Sequence, residues 1–498
     1  PHRRHAAHLH GCRGAGAIVS AVPAGADIPL CVDCDGTLIQ TDLLHEGLLL
    51  MVKQAPMALL LLPLWLLRGK AFLKARVAER VRFDWKTLPY SKRVLEIGAE
   101  ARAQGRTVVL ATASPRFWAE GIAAHVGLFD RVVATEGERN LSGAAKAASL
   151  CESYGAQGFD YVGNGRSDLP VWARARSAIV VSSSASLLHA AQRGGTVAEV
   201  VQVERAGPLA YLKMVRAHQW LKNLLVGVPM ASAHLLGSTD SVVKAVIAFS
   251  AFSLCASAVY LVNDLLDLDA DRQHIRKCKR PLAAGTIPVH HAVLMAPLLL
   301  IASIALSLLL PPAFLVVISG YFVMTLAYSL RLKRQVIVDV LLLAALYTTR
   351  IVAGAVATSV TPSFWLLAFS MFLFLSLAIV KRYSEMRVTL SQSKQTAAGR
   401  GYSVDDLPVL LSLGVSAGMA AVLVLALYIN DIDTRRLYPD TVWLWLVPPL
   451  ILYWVSRVWM KTHRGEIDDD PVVFAVHDWQ SLLTVALAAA CFLMASSA

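Results

Sequence analysis

Charged residues are scarce in this chain: they make up 16% of its 498 residues, whereas 56% are hydrophobic. Soluble proteins carry about 25% charged residues, so this deficit disfavours a protein that is soluble throughout its length and favours a membrane protein. Dinucleotide-binding glycine fingerprints, phosphate-binding glycine loops and zinc-ligand spacings are also missing from the sequence, so the enzyme classes that depend on them are not predicted.

Cysteine is sparse as well, and its seven copies are scattered. The closest pair, Cys31 and Cys34, flanks a probable strand end, where side chains three residues apart point to opposite faces. We therefore predict neither a redox or zinc site there nor a disulfide framework of the kind found in small secreted proteins.

The hydrophobic residues are unevenly distributed along the chain. Residues 1–27, rich in Ala, Gly, Arg and His and without the long apolar core of a signal peptide, are predicted to be disordered. Residues 28–203 have the composition of a globular domain, and residues 204–215 are predicted to be a linker. Residues 216–498 hold nine apolar segments of roughly membrane-spanning length. These segments lie near residues 221–238, 243–264, 288–309, 313–330, 336–357, 363–380, 406–429, 441–460 and 479–496.

Basic residues give the chain a formal net charge of +12 and cluster in particular connections between these segments. The connections 267–287, 331–335 and 381–405 are the second, fourth and sixth, so all three fall on one side. Because Lys and Arg are retained on the cytoplasmic side, we expect a multi-pass protein of the cell (inner) membrane with its N-terminal domain and active sites in the cytoplasm. The positive charge then belongs to membrane-adjacent loops, and no nucleic-acid partner is expected.

Two aspartates follow the first apolar run of the globular part, in the sequence PLCVDCDGTLIQT. The run predicts a short strand, and Asp33 and Asp35 would lie together at its carboxyl end, where α/β sheets bind ligands. Two carboxylates this close can share a magnesium ion and divide their roles, one attacking phosphorus and the other moving protons.

Three further segments follow in order. TVVLATAS predicts a buried strand that ends in hydroxyl groups, GAAKAASL places Lys146 near a helix start, and FDYVGNGRSDLPVW predicts a strand followed by a loop with Asn164 and Asp168. Together with D-x-D-G-T, this ordered set resembles the four motifs of the haloacid dehalogenase superfamily, over about residues 28–203.

That resemblance implies a Rossmann-like α/β fold with a small helical cap and a magnesium-dependent phosphatase. The implied roles are Asp33 as nucleophile, Asp35 as general acid/base, Thr112 as hydrogen-bond donor to the phosphoryl group, Lys146 as its counter-charge, and Asp33, Asp35 and Asp168 as magnesium ligands. The sequence departs from the family pattern at Asn164, where an amide replaces a frequent carboxylate. This change predicts weaker magnesium binding, and it leaves open an inactive domain kept as a scaffold.

The region between the first two motifs, residues 43–105, would form the cap. Within it, PMALLLLPLWLLRGKA carries about a dozen consecutive apolar residues, too few to span a bilayer. The sequence leaves three alternatives open: a segment on the membrane surface, one packed against the membrane domain, or a plain buried helix.

A second acidic motif, YLVNDLLDLDADRQHIRKCKRPLAAG, covers residues 260–285. Asp264, Asp267 and Asp271 are spaced i, i+3 and i+7, so on one continuous helix they would share a face. Carboxylates at the end of a membrane helix repel one another, and a magnesium ion that also binds substrate phosphates is their natural counter-charge. A solvated acidic loop is the alternative, and the run of basic residues directly after the motif argues against it.

This motif resembles the first aspartate-rich motif of the UbiA prenyltransferase superfamily, including the downstream R-P-L-A-x-G, over roughly residues 208–498. The resemblance implies an all-α bundle of about nine transmembrane helices and magnesium-assisted departure of a diphosphate. The implied magnesium ligands are Asn263, Asp264, Asp267 and Asp271, with substrate phosphates bound by Arg272, Lys277 and Arg280.

Several other basic residues favour one branch of that superfamily, which makes polyprenyl-phosphate phosphoribose from phosphoribosyl diphosphate and a polyprenyl phosphate. The segment RAHQWLKN resembles that branch's R-P-x-Q-W-x-K-N, with Ala217 in place of the proline, and Arg350 is a charge inside an apolar segment. The substrate-binding residues predicted on this basis are Arg216, Lys222, Asn223, Lys333, Arg350, Lys381 and Arg382.

Three functions remain open at this point. The first is phosphoribosyl transfer to a polyprenyl lipid, with the fused phosphatase removing the 5-phosphate of the product. The second is transfer of a prenyl group from its diphosphate to an aromatic or other small acceptor, and the third is cation binding or transport without catalysis. The lipid chain length and the oligomeric state are not encoded in these patterns.

Overall fold

The computed structural model describes residues 28–497 except residues 138–139, 204–205, 275, 392–400, 432–433, 435–436, 439 and 468–470. The chain divides into two compact units. The N-terminal unit takes in the described residues up to Ala206 together with Asp269–Lys279 and Ala283–Val289, and the C-terminal unit holds the remainder. The predicted disorder of residues 1–27 lies outside the described residues.

The N-terminal unit is built on a six-stranded, fully parallel sheet with strand order β3-β2-β1-β4-β5-β6. Parallel sheets are covered by helices on both faces, which is why the central strands read as continuous apolar runs. Successive strands are added on one side of β1 up to β3 and on its other side from β4 onward, and ligands bind at such a change of side in parallel sheets. The strands are β1 Leu30–Val32, β2 Val108–Pro115, β3 Arg131–Thr135, β4 Asp160–Gly163, β5 Ser177–Val181 and β6 Val197–Val201.

Eight helices accompany this sheet, and the first three form the cap. Alternating strand residues enter two separate cores: Leu30 and Val32 pack into one, whereas Cys31 packs into the other. Cys34 belongs to the first core, so the prediction that the two cysteines point to opposite faces is confirmed. The helices are α1 Leu43–Gln54, α2 Leu62–Leu67, α3 Lys70–Arg80, α4 Lys92–Ala103, α5 Arg116–Val126, α6 Ala144–Tyr154, α7 Leu169–Trp172 and α8 Ala185–Gly194, with 3-10 turns at Pro56–Leu61, Trp85–Thr87 and Arg166–Asp168.

The remaining helices are mostly long and apolar, and α12 alone lies in a segment that packs with the N-terminal unit. Among the described residues, seven helices are long and apolar enough to cross a membrane: α11, α13 to α17 and α20. The helices are α9 Pro208–Met214, α10 Val228–Ser232, α11 Thr239–Leu266, α12 Leu268–Gln273, α13 Val289–Ser307, α14 Pro312–Leu330, α15 Val338–Ala357, α16 Phe364–Ser391, α17 Leu407–Asn430, α18 Val447–Arg464, α19 Pro471–His477 and α20 Trp479–Ser497.

Two of the nine predicted apolar segments differ from this pattern. Residues 221–238 do not form one helix, because 3-10 turns over Ala217–Gly227 lead into the short α10, which has Pro229 in its first turn. The segment 441–460 becomes α18, which runs on to a basic last turn ending at Arg464 and is therefore less apolar than the other spans. The predicted linker also contains a helix, α9.

Candidate active sites

The first candidate site lies at the carboxyl ends of β1 and β4. Asp33 directly follows β1, and its backbone N–H donates to the Val162 carbonyl of the neighbouring strand over 2.9 Å. The Lys146 ammonium, from the first turn of α6, donates to Asp33 Oδ1 over 2.6 Å. Lys146 lies 3.7 Å from Asp168 Oδ1, so the structure brings together three of the predicted residues around one cation.

Asp35 lies on the other side of this loop and is held by two donors. The backbone N–H of Leu43, at the start of α1, donates to its Oδ1 over 2.8 Å, and the Ser114 hydroxyl donates to its Oδ2 over 2.6 Å. Thr112 is fully buried and its Oγ1 accepts from the Ser114 backbone N–H over 3.0 Å. Within the TVVLATAS segment, Ser114 is therefore the hydroxyl that contacts Asp35. The sequence signal was available, because Ser114 is the last residue of that segment.

The loop after β4 approaches the first motif very closely. Gly36 has φ of +74°, and a Cβ placed there would lie 2.1 Å from the side-chain nitrogen of Asn164. Asp168 anchors the loop, because its Oδ2 accepts from the backbone N–H groups of Asn164 and Gly165 over 3.0 Å each. Asp168 Oδ1 accepts from the Tyr161 hydroxyl, a residue that the motif comparison did not single out.

Burial controls the protonation of these groups. It raises the pKa of Asp33 to about 7, and Lys146 only partly offsets this effect. Burial also raises the pKa of Asp35, and the negative charge of Asp42 adds to the shift. Burial alone would lower the pKa of Lys146, but the charges of Asp33 and Asp168 raise it, so the lysine stays an ammonium. A buried carboxyl pair beside a fixed cation is typical of sites that bind phosphate and transfer protons.

The oxygen donors of this site are of the type that Mg²⁺ prefers. Asp33 and Asp168 both lie within 3.7 Å of the Lys146 ammonium and could hold the ion together with substrate oxygens. No group of three His, Cys, Asp or Glu side chains gathers as a metal site among the described residues. The amide of Asn164 adds no charge to this set of oxygen donors.

The second candidate site begins at the end of α11. We expected one continuous helix through Asp264, Asp267 and Asp271, but α11 ends at Leu266 with Asp267 as its C-cap. Asp271 lies on the separate helix α12, in the segment that packs with the N-terminal unit. The prediction of one continuous helix is therefore wrong, while the predicted role of these three aspartates as magnesium ligands stays a prediction. Two carboxylates, those of Asp264 and Asp267, remain together at the end of α11.

Both of these carboxylates are paired with basic side chains. Arg216 donates from Nε to Asp264 Oδ2 over 3.2 Å and from its terminal nitrogen to Oδ1, and Arg280 donates to the same Oδ1 over 3.2 Å. Lys333 donates to Asp267 Oδ2 over 2.9 Å. Three of the predicted phosphate-binding residues thus meet the acidic motif.

The segment RAHQWLKN runs along one face of α11. Arg216 meets Asp264, Trp220 Nε1 donates to the Ser257 hydroxyl over 2.9 Å, and Asn223 donates to the Ser253 hydroxyl over 3.0 Å. The residues of α11 that this segment contacts at its two ends, Ser253 and Asp264, are eleven positions apart, which corresponds to about 16 Å along the helix axis. Arg216 itself has φ of +55°, a conformation that costs a non-glycine residue energy and occurs mainly at functional positions.

The inner end of this segment meets Arg350 of α15. Arg350 donates from Nε to Asn223 Oδ1 over 2.9 Å and to the Tyr321 hydroxyl over 3.1 Å, and it lies 5.3 Å from the ring centre of Tyr347. The Lys222 ammonium lies 5.6 Å from the same ring. Lys222, Asn223 and Arg350 therefore form one buried cluster, which we call the inner cluster, with Tyr347 as a shared aromatic wall.

Arg382 is enclosed by a network of polar side chains. It is fully buried, and its three guanidinium nitrogens donate to Asp339, Glu385 and Tyr328. Tyr402 donates to the other oxygen of Asp339 over 2.6 Å. This network joins α14, α15 and α16, and the predicted role of Arg382 in substrate binding stays a prediction. Lys381 precedes it on α16 and is half-buried.

Arg272 and Lys277, two further predicted phosphate ligands, belong to the N-terminal unit. Arg272 forms a buried ion pair with Glu46 of α1 over 2.6 Å, and it also donates to the Ala283 carbonyl. Lys277 lies 3.8 Å from Asp271. The guanidinium of Arg272 is therefore engaged by a residue 226 positions earlier in the chain. Sequence spacing gives no signal for such a contact.

Comparison with known proteins identifies a family for each of the two parts of the chain. The UbiA prenyltransferase family model matches residues 224–482, and the haloacid dehalogenase-like hydrolase model matches residues 30–172. The chain is 37% identical to the protein y4nM of Sinorhizobium fredii over 94% of this chain and 91% of that protein. It is 39% identical to the decaprenyl-phosphate phosphoribosyltransferase of Mycobacterium tuberculosis over 184 residues, which cover 36% of this chain and 60% of that enzyme.

Among solved structures, a UbiA homolog from Archaeoglobus fulgidus bound to GPP and Mg²⁺ aligns with a TM-score of 0.45 and 18% identity, over 57% of this chain and 99% of that chain. The family match spans most of the C-terminal unit, and its seven apolar helices make the chain a multi-pass membrane protein. The chain belongs to the UbiA prenyltransferase family, as a membrane transferase that carries a haloacid dehalogenase-like domain at its N-terminal end.

Proposed function

We propose that the C-terminal unit transfers a phosphoribosyl group from phosphoribosyl diphosphate to a polyprenyl phosphate. The observation that carries this proposal is the surplus of cations at the end of α11, where Arg216, Arg280 and Lys333 surround two carboxylates. A relative with 39% identity over 184 residues is named for that reaction, and the alignment covers 60% of its own length.

Asp264 and Asp267 are the residues that would hold Mg²⁺, since this ion commonly takes one or two carboxylates and completes its shell with substrate phosphates and water. Bound there, the metal would stabilise the charge of the departing diphosphate. In the structure the same two carboxylates are paired with Arg216, Arg280 and Lys333. Metal binding to the carboxylates would leave these cations to bind the phosphates of the donor, as bidentate arginine contacts do elsewhere.

The count of cations distinguishes between the two transferase alternatives. Phosphoribosyl diphosphate carries a 5-phosphate as well as the diphosphate, and a polyprenyl phosphate brings a third anionic group. The inner cluster, with Lys222 and Arg350, supplies two further cations beyond those at the α11 end. Prenyl transfer to a neutral aromatic acceptor presents a single diphosphate and needs fewer cations. It therefore remains the second candidate.

The N-terminal domain is proposed to remove the 5-phosphate from the lipid-linked product. Asp33 would attack phosphorus and release the ribose hydroxyl, which takes its proton from Asp35. Water, deprotonated by Asp35, would then hydrolyse the aspartyl phosphate and release inorganic phosphate. Lys146, 2.6 Å from Asp33, would balance the charge of the transferring phosphoryl group. We place both sites on the cytoplasmic side of the inner membrane, where the basic loops are expected.

The decisive experiment supplies purified full-length protein in lipid vesicles with Mg²⁺ and either of two substrate pairs. One pair is labelled phosphoribosyl diphosphate with polyprenyl phosphate, and the other is labelled prenyl diphosphate with an aromatic acceptor. We expect a labelled lipid from the first pair. Product from the second pair alone would establish prenyl transfer, and product from neither, with cation flux, would establish the transport alternative.

A second assay tests the phosphatase role. In the Asp33→Asn variant, labelled phosphoribosyl diphosphate should give a lipid that retains the 5-phosphate, whereas the wild-type protein should release inorganic phosphate from it. Equal release of phosphate by both proteins would show that the N-terminal domain has a different substrate or none.

A further inference from the structure

The cap of the N-terminal domain exposes a long apolar segment. Residues 56–67, PMALLLLPLWLL, contain no polar side chain, and they fold as the 3-10 turns Pro56–Leu61 followed by α2. Met57, Leu60 and Leu67 are 79–85% exposed. A contiguous apolar surface of this kind on a folded domain marks a site of contact with another apolar phase or protein.

Residues 56–67 are exposed on one side although they are firmly packed against the domain on the other. Trp65 of α2 is buried in the domain core, and the guanidinium of Arg80 lies 4.7 Å from its ring centre. Leu59 and Leu62 pack against the same core. One side of the segment is thus fixed to the fold and the other side is presented outward. Of the alternatives that the sequence left open, the structure contradicts the plain buried helix.

The charged residues that flank this apolar segment indicate which kind of surface it contacts. Between Lys53 and Arg82 the chain has seven basic residues and one acidic residue, Glu79. Arg68 and Lys70 are exposed directly beside the apolar tip. Apolar side chains bordered by Lys and Arg match the bilayer interface, where apolar groups enter the acyl region and the cations contact anionic headgroups. The same chain carries seven apolar membrane helices, so a bilayer is always within reach of this tethered domain.

We propose that residues 56–67 insert into one leaflet of the bilayer and hold the phosphatase site at the membrane surface. The segment spans about 20 Å, against about 30 Å for the hydrocarbon core, so it enters the membrane without crossing it. The cap is also connected to the site itself, because Lys74 of α3 donates to the Ala113 carbonyl over 3.1 Å, next to Ser114 and its bond to Asp35.

A site held in this way suits phosphate monoesters whose carrier is embedded in lipid, since the phosphate then reaches the site without leaving the interface. This substrate class rests on the proposed function. The insertion itself does not depend on it and can be tested without any catalytic measurement.

The test uses the full-length protein with the photoreactive residue p-benzoylphenylalanine at Leu67, reconstituted in vesicles of phosphatidylethanolamine and phosphatidylglycerol. Illumination should give phospholipid adducts, identified by mass spectrometry of the delipidated peptide. The matched control places the same residue at Gln104, which is exposed on α4's C-terminal side, and it should give no lipid adduct. Crosslinks from Leu67 to this chain or to a second copy, or no adduct at all, would overturn the proposal.

A second measurement uses the triple variant Leu60→Asp, Leu64→Asp, Leu67→Asp, whose substituted side chains are all exposed. Hydrolysis of a lipid-linked phosphate should fall about tenfold or more, while hydrolysis of water-soluble p-nitrophenyl phosphate stays unchanged. An equal loss on both substrates would contradict the proposal. If the domain is not a phosphatase, neither substrate is hydrolysed even by wild-type protein, yet the lipid adduct at Leu67 is still expected.

Discussion

Arg216 and Asp264, 48 positions apart in the sequence, form a two-point ion pair at the end of α11. The pair brings together the segment RAHQWLKN and the aspartate-rich motif, two stretches that were recognised separately in the sequence. Arg216 forms this pair from a left-handed backbone conformation, with φ of +55°.

Replacement of Asp264 by Asn should reduce transferase turnover by about 10²–10³-fold, because the site loses a carboxylate that we propose as a magnesium ligand. The measurement is transfer rate against Mg²⁺ concentration in vesicles. The matched control is Asp240→Asn at the exposed start of the same helix, where the carboxylate pairs only with Lys244. Wild-type turnover and metal dependence in the Asp264 variant would refute the proposed metal site.

Arg216→Lys should raise the KM for the donor about tenfold, since an ammonium cannot reproduce the planar two-nitrogen contact that the guanidinium makes. Arg457→Lys provides the control, because Arg457 forms a similar two-point pair with Asp478 outside the candidate site. If the substitution acts only by weakening an ion pair, both variants should lose stability to a similar extent and neither should show a raised KM for the donor. An unchanged KM for Arg216→Lys would show that this arginine does not bind the donor.

The packing of α15 against Val226 predicts an effect on stability. A Cβ at Gly354 would lie 1.9 Å from the Val226 carbonyl oxygen, so Gly354→Ala must push the two segments apart and should destabilise the C-terminal unit by about 1–3 kcal/mol. Gly320 of α14 has no neighbouring atom within 4 Å of such a Cβ, and Gly320→Ala should be neutral or stabilising by up to about 1 kcal/mol. Thermal unfolding in detergent compares the two.

Acid stability depends on Asp160, at the start of β4. Burial opposes ionisation of this carboxyl, but hydrogen bonds from Arg176 and Ser177 and the charge of Arg106 outweigh it, and the pKa of Asp160 falls below its usual value. A carboxylate whose pKa is lower in the folded state stabilises the fold above the unfolded-state pKa of about 3.9, and this contribution is lost as the pH falls through the folded-state pKa.

Asp160→Asn should therefore lower the free energy of unfolding of the N-terminal unit by about 3 kcal/mol at pH 7, because two arginines lose their partner. The difference in the free energy of unfolding between this variant and the wild type should become smaller as the pH falls toward about 3. Proteolytic susceptibility of the full-length protein in urea, measured across this pH range, tests the expectation. Glu96→Gln, at an exposed side chain, should follow the wild-type pH dependence.

Much of the phosphatase-like site could be predicted from the sequence. Buried apolar runs that end in Asp33, Ser114 and Asn164 are parallel strands, and the carboxyl ends of such strands meet at one edge of a sheet. The order of the motifs was enough to bring Lys146 and Asp168 to the same place. Lys146 on α6 and Asp168 in the turn after β4 directly follow the ends of strands or loops whose positions the local patterns encode.

The transferase site was harder to predict, for a physical reason. The i, i+3, i+7 spacing assumes a continuous helix, but α11 ends at Leu266 and Asp271 joins another unit. Arg272 was assigned to a substrate because it follows the acidic motif, whereas a buried carboxylate, Glu46, binds it in the structure. Ion-pair partners that lie hundreds of residues apart produce no periodic pattern in the sequence. The sequence therefore could not show which basic residues bind a substrate and which form ion pairs within the fold.

The ion pair between Arg272 and Glu46 also constrains how the chain is threaded through the lipid. Asp269–Lys279 and Ala283–Val289 pack in one unit with the described residues up to Ala206, so we expect an even number of membrane passes between these parts of the chain. With α11 as one pass, the broken stretch 217–237 is expected to provide the other. On this expectation the N-terminal domain is completed only after the first pair of passes has been inserted, so its maturation would be a late event despite its early translation.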